Sequence, residues 1–347
     1  MISHDLAMDT SFHNPEQGAR DAAAILDMDL TWTKHLVNTT SKMTADIRNA
    51  VDMGASGIIL TIPNDGLLGA IHYALQKNVP IIVFNTGLEY AQQLGLTRVL
   101  QDDEEAGLIL GQELKRRGYS RPLAVQFPGL DDSSCRQRLM GIRRVIQNDP
   151  FVLSLSDYGT FAQPVAEIRN YFIANSSFDS LISLGGSITS DIVSEAALAV
   201  KQRDSSRRVG VAIFDIGSNN MMRLFHEHKD TIAISQLPYY QTALPVFYMY
   251  LRLLTGYHVF ANQTIKTGPI LVTNETLSTT IQNEKSKLVP LRSTSTYVGT
   301  VVSNTQGDTY SAALMAGAHD FAHKLNWTIL NRAEGRTKTF QKNFQKD

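Results

Sequence analysis

The chain has 347 residues, enough for two domains of ordinary size and a remainder. Hydrophobic residues make up 43% and charged residues 19%, an ordinary globular composition, and 32 Lys and Arg against 33 Asp and Glu leave a net charge of −1. That balance lacks the basic footprint of a nucleic-acid-binding protein. The single cysteine, Cys135, excludes an intramolecular disulfide and a cysteine-built zinc cage.

The opening Met1-Ile2-Ser3-His4-Asp5 shows no basic stretch followed by a long apolar one, so no export signal is visible. Ile47 and Val51 mark a helix. Residues 57–61 and 80–84 are continuous apolar runs bounded by turn residues, the pattern of strands buried on both faces of a parallel sheet. Between them Leu67, Leu68, Ile71, Ala74 and Leu75 recur at helical spacing, which makes one βαβ unit. The acidic run 102–105 opens a helix whose positive end it suits, Ile109, Leu110 and Leu114 continue it, and Gly118 is placed to end it.

The pattern then restarts, with strands expected at 123–127, 180–184, 209–214 and 231–235 and helices between them. The longest apolar stretch, 243–254, contains Pro245 and Arg252 and is too short to cross about 30 Å of hydrocarbon, so it reads as a packed helix. Two successive βα runs predict an α/β chain of two doubly wound, Rossmann-like lobes. Ligands of such sheets sit outside the carboxyl ends of the strands. Those ends carry Asn64 and Asp65, Asn85-Thr86-Gly87, Gly185-Gly186-Ser187 and Asp215-Ile216-Gly217, the side chains a polar-ligand cleft needs.

Beyond Thr276 the rhythm breaks, and 277–296 reads as a linker. Gly317-Ala318-His319-Asp320 then repeats the form of Gly18-Ala19-Arg20-Asp21, behind an apolar run from Tyr297 to Val302. Residues 297–330 are therefore expected to begin an incomplete second copy of the first module, and 331–347 to be a disordered tail. Sequons begin at Asn38, Asn175, Asn262, Asn274 and Asn326, more than chance supplies, which fits a glycoprotein made for the secretory pathway.

Walker loops, the G-x-S-x-G elbow, H-E-x-x-H and G-x-G-x-x-G are all absent from the sequence, so the usual supports for those chemistries are missing. Gly185-Gly186-Ser187 reads as a turn with a serine cap rather than an anion site. His226-Glu227-His228 reads as a solvated turn, because histidines two apart do not share a helix face. His4, Asp9 and His13 lack a fourth metal donor at diagnostic spacing. No cofactor and no metal site is expected.

The residues also resemble those of type I periplasmic binding proteins, the ribose-binding-like sugar receptors of ABC importers. The resemblance runs from residue 1 to about 275. Its markers are 57–63, Asn85-Thr86-Gly87, Gln101-Asp102 with Ala106-Gly107, Arg138-Leu139-Met140-Gly141, Phe214-Asp215, Gln236-Leu237-Pro238-Tyr239-Tyr240-Gln241 and Thr267-Gly268-Pro269. It implies two lobes that close on one sugar about a hinge of three crossing strands. The N-lobe would be about 1–102 plus 237–266, and the C-lobe about 103–236 plus 267–275, within a binding domain of 1–276. By motif position it also implies ligand contacts from Phe12 against a sugar ring face, Asn85, Arg138, Asp215 and Gln236. Asp9, Asn64, Thr86 and Gly185 are further cleft candidates. Two departures bear on the ligand. Asn85-Thr86 replaces the family's Asp-Arg pair, against ribose itself, and Gly185 replaces a cleft asparagine.

Elementary chemistry supports the same roles. A sugar offers hydroxyls and apolar C–H faces, and charge-assisted hydrogen bonds to it are about twice as strong as neutral ones. Arg138 offers a fork of donors and Asp215 can accept two hydroxyls, and both are expected to face solvent in an open cleft. The expected function is non-catalytic binding of a sugar or polyol by an extracytoplasmic protein. A membrane transporter or receptor is the expected partner, with no nucleic acid and no direct membrane insertion. A ligand-sensing receptor ectodomain is the alternative, ahead of a lac-repressor-type regulator or an enzyme.

Overall fold

The computed structural model describes residues 1–6, 13–35, 40–127, 132–147, 149–155, 161–216, 219–258, 260–284, 298–303, 309–324 and 328–333. One compact unit comprises 1–23 and 29–288, and a second comprises 24–28 and 289–347. The first unit is α/β throughout. Its strands are β1 (Ile2–Leu6), β2 (Thr33–His35), β3 (Ile58–Leu60), β4 (Ile81–Phe84), β5 (Thr97–Leu100), β6 (Pro122–Gln126), β7 (Phe151–Ser154), β8 (Ser180–Ser183), β9 (Gly210–Phe214), β10 (Thr231–Ser235), β11 (Thr264–Lys266) and β12 (Ile270–Val272). They form two six-stranded sheets in matching order, β11-β5-β4-β3-β1-β2 and β12-β10-β9-β8-β6-β7. Every pairing is parallel except β10 with β12.

The helices are α1 (His13–Leu26), α2 (Thr40–Asp52), α3 (Leu68–Gln76), α4 (Leu88–Gln93), α5 (Asp103–Arg116), α6 (Asp132–Arg143), α7 (Ala162–Ala174), α8 (Ser187–Arg203), α9 (Asn219–Glu227), α10 (Pro238–Thr255) and α11 (Leu277–Glu284). The apolar runs of the central strands are buried because helices cover them. Ile58, Leu60 and Val83 pack with Ile47 of α2 and Ile71 of α3. One face of the second sheet packs Leu181 and Val211 against α7, α8 and α9, and the other packs Ala124 and Ile182 against Leu110 and Ile142 of α5 and α6.

Two helices change sheets. β5 belongs to the first sheet, yet α5, the next helix along the chain, packs against β9, β10 and β12 of the second. β10 belongs to the second sheet, yet α10 packs against β3, β4 and β5 of the first. A third crossing, Thr267 to Pro269, joins β11 to β12. Asp102 caps α5 by accepting the Glu105 amide at 3.0 Å, and Pro238 stands in the first turn of α10. At the third crossing a Cβ on Gly268 (φ 67°) would lie 2.7 Å from the Ser235 carbonyl oxygen, so only glycine lets the last two crossings approach so closely.

Two expectations about the end of the chain need correction. Residues 277–284, expected at the start of a linker, are helix α11. Leu277 lies in the core cluster with Phe225 and Val272, with Ile281 one turn on packed alongside, and the Thr280 hydroxyl donates to the Thr276 carbonyl. A run that reads as polar thus hides an i, i+4 apolar pair, with a threonine bonded to its own backbone. The second unit holds β13 (Val298–Ser303), α12 (Thr309–Lys324) and β14 (Thr328–Ala333), with β13 and β14 parallel. Its last strand runs past residue 330, so Asn331 to Ala333 are not part of a disordered tail. They pair with Val301, Val302 and Ser303. Residues 285–297 and 334–347 lie outside the described residues.

Candidate functional site

Residues just beyond the carboxyl ends of the strands build the site. Asn85 directly succeeds β4 and Asp215 directly succeeds β9, the matching strand of the other sheet, and both take left-handed backbone (φ 64° and 66°). Asn and Asp tolerate that conformation better than other side-chain-bearing residues. Gln236 comes directly after β10 at the second crossing, and Gln241 lies in the first turns of α10.

These four side chains form one chain of hydrogen bonds. The Asn85 Nδ2 donates to Gln241 Oε1 at 3.1 Å and to Gln236 Oε1 at 3.4 Å. Gln241 Nε2 donates to Gln236 Oε1 and to the Thr267 hydroxyl, both at 3.2 Å, and Gln236 Nε2 donates to Asp215 Oδ1 at 2.7 Å. Polar groups at the carboxyl ends of the two sheets are therefore tied through the second and third crossings. Gln241 and Thr267 were missed as site residues by sequence reasoning. The available signal was a second amide five residues after Gln236.

Arg138 does not face solvent. It is 3% exposed, with Nε donating to Asp103 Oδ1 at 2.8 Å, one terminal nitrogen donating to the Leu184 carbonyl at 2.9 Å, and its guanidinium 4.2 Å from the centre of the Phe214 ring. Asp103 also accepts from Gln101 at 2.9 Å. The expectation of a solvent-facing arginine fails because α5 and α6 meet backbone to backbone. A Cβ on Gly107 would lie 2.0 Å from the Arg138 carbonyl oxygen, and one on Gly141 would lie 2.0 Å from that of Glu104. This approach brings Arg138 onto Asp103 and over the Phe214 ring.

The other candidates fall around this network. Thr86 is buried, with its hydroxyl 3.4 Å from that of Ser134 at the start of α6. Asn64 is held in place as a cap, accepting from the Gly66 amide at 3.1 Å and bonding the Thr40 hydroxyl. A Cβ on Gly185 would fall 2.4 Å from the Thr189 hydroxyl, so the asparagine expected from the family cannot fit there unless α8 shifts. Gly186, not Ser187, is the N-cap of α8, and no side chain caps it. Phe12 and Asp9 lie outside the described residues. At the first crossing, burial alone would raise the Asp102 carboxyl. Hydrogen bonds from Lys266, at 2.8 Å, and from the Glu105 amide carry it below the usual carboxylate range, and Lys266 is raised in return.

Among the described residues no cluster of three or more His, Cys, Asp or Glu could hold a metal, and no helix is long and apolar enough to cross a membrane. His226 and Glu227 are exposed at the end of α9, but His228 is 4% exposed with neither ring nitrogen hydrogen-bonded, so the solvated turn expected there is half wrong. Burial, with the Lys201 charge beside it, lowers its pKa below the usual 6.5 against the opposing pull of Asp230.

Two sheets of matching strand order, three crossings between them, two of which carry a helix across, and a polar chain at their carboxyl ends define a two-lobed binding protein of type I architecture. The chain belongs to the periplasmic binding protein domain family, whose model matches residues 6–257. It is 21% identical over 280 residues, 77% of this chain and 69% of the relative, to a xylose/arabinose-binding protein, XylF, of Sulfolobus acidocaldarius. Its fold is similar to that of a carbohydrate transporter from Acidothermus cellulolyticus solved with myo-inositol, with TM-score 0.72 and 23% identity over 82% of this chain and 96% of that one. It is also similar to a solute-binding protein from Agrobacterium vitis solved with D-fucose, with TM-score 0.65 and 19% identity over 82% and 97%.

Proposed function

We propose that this chain binds a small polyhydroxylated ligand, a sugar or polyol, without transforming it, at the carboxyl ends of the two sheets. The observation that carries the reading is the Asn85–Gln241–Gln236–Asp215 chain. A polyol needs paired donors and acceptors at fixed positions. Here Gln236 positions the Asp215 carboxylate as an acceptor, and the two glutamines position the Asn85 amide. Asn85, Asp215 and Gln236 would meet the ligand, with Phe12 covering a ring face and Thr86 buried behind them. Arg138 would act from beneath, its charge balanced by Asp103.

Family membership and the sugars named for its relatives support this reading. From the same family we infer an extracytoplasmic site of action and a membrane transporter as partner. The β13–α12–β14 unit favours a second reading, a ligand-sensing ectodomain, because it repeats the element order and parallel pairing of β1–α1–β2.

A thermal-shift panel of xylose, arabinose, fucose, allose and myo-inositol tests the function, since a ligand selective for the folded state raises its melting temperature. At least one member should raise it and be recovered unchanged. In calorimetric titration, Asn85→Ala and Asp215→Ala should each weaken that ligand about tenfold to hundredfold, the loss of roughly 1–3 kcal/mol. A folded chain that responds to no member, or that consumes one, overturns the proposal.

A further inference from the structure

We infer that Asn262 is an N-linked glycosylation site of this protein, an inference that rests only on the extracytoplasmic part of the proposed function. Three sequons have their asparagine among the described residues, and their geometry differs at one atom, the amide nitrogen that would carry the sugar. At Asn175 the Nδ2 donates to the Tyr171 carbonyl at 2.8 Å, and the residue is half-buried. At Asn274 the Nδ2 donates to the Phe225 carbonyl at 2.7 Å. Both nitrogens are turned onto the protein's own backbone.

Asn262 is exposed, in a turn closed by the Ala261 amide on His258 and the Gln263 amide on Phe260, with φ 55°. Its side chain is held by the other end. Oδ1 accepts from Arg98 at 3.1 Å, and Thr264, the sequon's hydroxyl residue, accepts from Arg98 Nε at 2.6 Å. Arg98 is 5% exposed, and its guanidinium also donates to the Leu96 carbonyl. A buried cation thus anchors both side chains of the sequon. With Oδ1 fixed inward, Nδ2 is left without a hydrogen bond among the described residues.

The transfer consumes only that nitrogen. Nδ2 attacks the anomeric carbon of an oligosaccharide carried on a lipid diphosphate, and the new C–N bond replaces the C–O bond to the diphosphate. The lipid diphosphate leaves with the bonding pair, and Nδ2 gives up one proton. The Oδ1 acceptor survives, so the product keeps every hydrogen bond that Arg98 makes to the turn.

The test is translation of the full chain, behind a cleavable export leader, into endoplasmic-reticulum microsomes, followed by glycopeptide mass mapping. The Asn262 peptide should carry a glycan and the Asn175 and Asn274 peptides should not. N262D should remove one glycan from the gel pattern while the chain still folds, since Asp keeps an acceptor for Arg98 and tolerates positive φ. A bare Asn262 peptide, or glycan on Asn175 or Asn274 in its place, overturns the inference. The sugar panel is read separately: a glycosylated chain that binds no sugar defeats the functional proposal and leaves this one standing.

Discussion

The two lobes solve the same packing problem with different chemistry. In the first, Gly18 of α1 lets the incoming α10 approach until a Cβ would lie 2.1 Å from the Tyr239 carbonyl oxygen; in the second, Gly141 of α6 does the same for α5, at 2.0 Å from Glu104. The partner positions then diverge. Where the second lobe has Gly107 against the backbone of Arg138, the first has Thr242, whose hydroxyl donates to the Pro15 carbonyl. Arg138 and Pro15 each stand three residues before their glycine. The charged lobe needs the closer approach because its arginine must reach Asp103 across the two helices. At the strand ends the contrast repeats: Asn85 closes β4 with a neutral amide, whereas Asp215 closes β9 with a carboxylate. Gln236 enters the shared polar chain, whereas the side chain of Gln101, its counterpart after β5, donates to Asp103, and its buried Oε1 has no partner among the described residues. One architecture therefore carries a neutral amide at the end of one sheet and a carboxylate at the matching end of the other.

The comparison breaks most severely at the buried pair. Arg138→Met strands the Asp103 carboxylate away from solvent and should cost about 3–5 kcal/mol, read by urea denaturation. The double variant Arg138→Met, Asp103→Leu should recover much of it. A single variant as stable as the parent would return Arg138 to a solvent-facing role.

Next are the glycines. Gly18→Ala and Gly141→Ala should each destabilise by about 3 kcal/mol, the upper end of ordinary overpacking costs, because backbone rather than a side chain must move. Gly69→Ala on α3, where an added Cβ meets nothing within 4 Å, should be neutral or stabilising. Equal effects at all three positions would show that the close approaches do not matter.

Gln241→Leu removes the amide that joins Asn85, Gln236 and Thr267, at a stability cost of about 2 kcal/mol. It should also weaken ligand without touching it. A double-mutant cycle with Asn85→Ala distinguishes coupling from general loosening, since additive effects on affinity would mean that the polar chain carries no coupling.

The smallest effect is confined to the second lobe. His228 has its folded pKa lowered by burial, so below about 6.5 the unfolded chain takes up a proton that the folded chain refuses. Its contribution is fully present above that value and is lost as pH falls toward the folded pKa. Between pH 7.5 and 5 the urea midpoint of His228→Leu should fall less than that of the parent. Parallel curves would place the titration elsewhere.

The parallel α/β class was legible because 57–61 and 80–84 are continuous apolar runs bounded by turn residues, and 123–127, 180–184, 209–214 and 231–235 are short, largely apolar segments between helical patterns. The central strands β3, β4, β8, β9 and β10 lie in them, and β6 starts one residue before its segment, at Pro122. Edge strands such as β7, with Phe151 46% exposed, lack that signal because they are covered on fewer sides. The acidic opening of α5 was also legible, since its charges suit the positive end of a helix.

What the sequence determined by itself was local or periodic: the central strands, the acidic opening of α5 and the polar strand ends. Only the tertiary structure decided where side chains from distant segments meet. Arg138 is 35 residues from Asp103 and 46 from Leu184, and Gln241 is 156 from Asn85. Whether an arginine faces a ligand or a buried carboxylate depends on how closely two helices approach, and that distance is set by packing rather than by the arginine's neighbours in sequence.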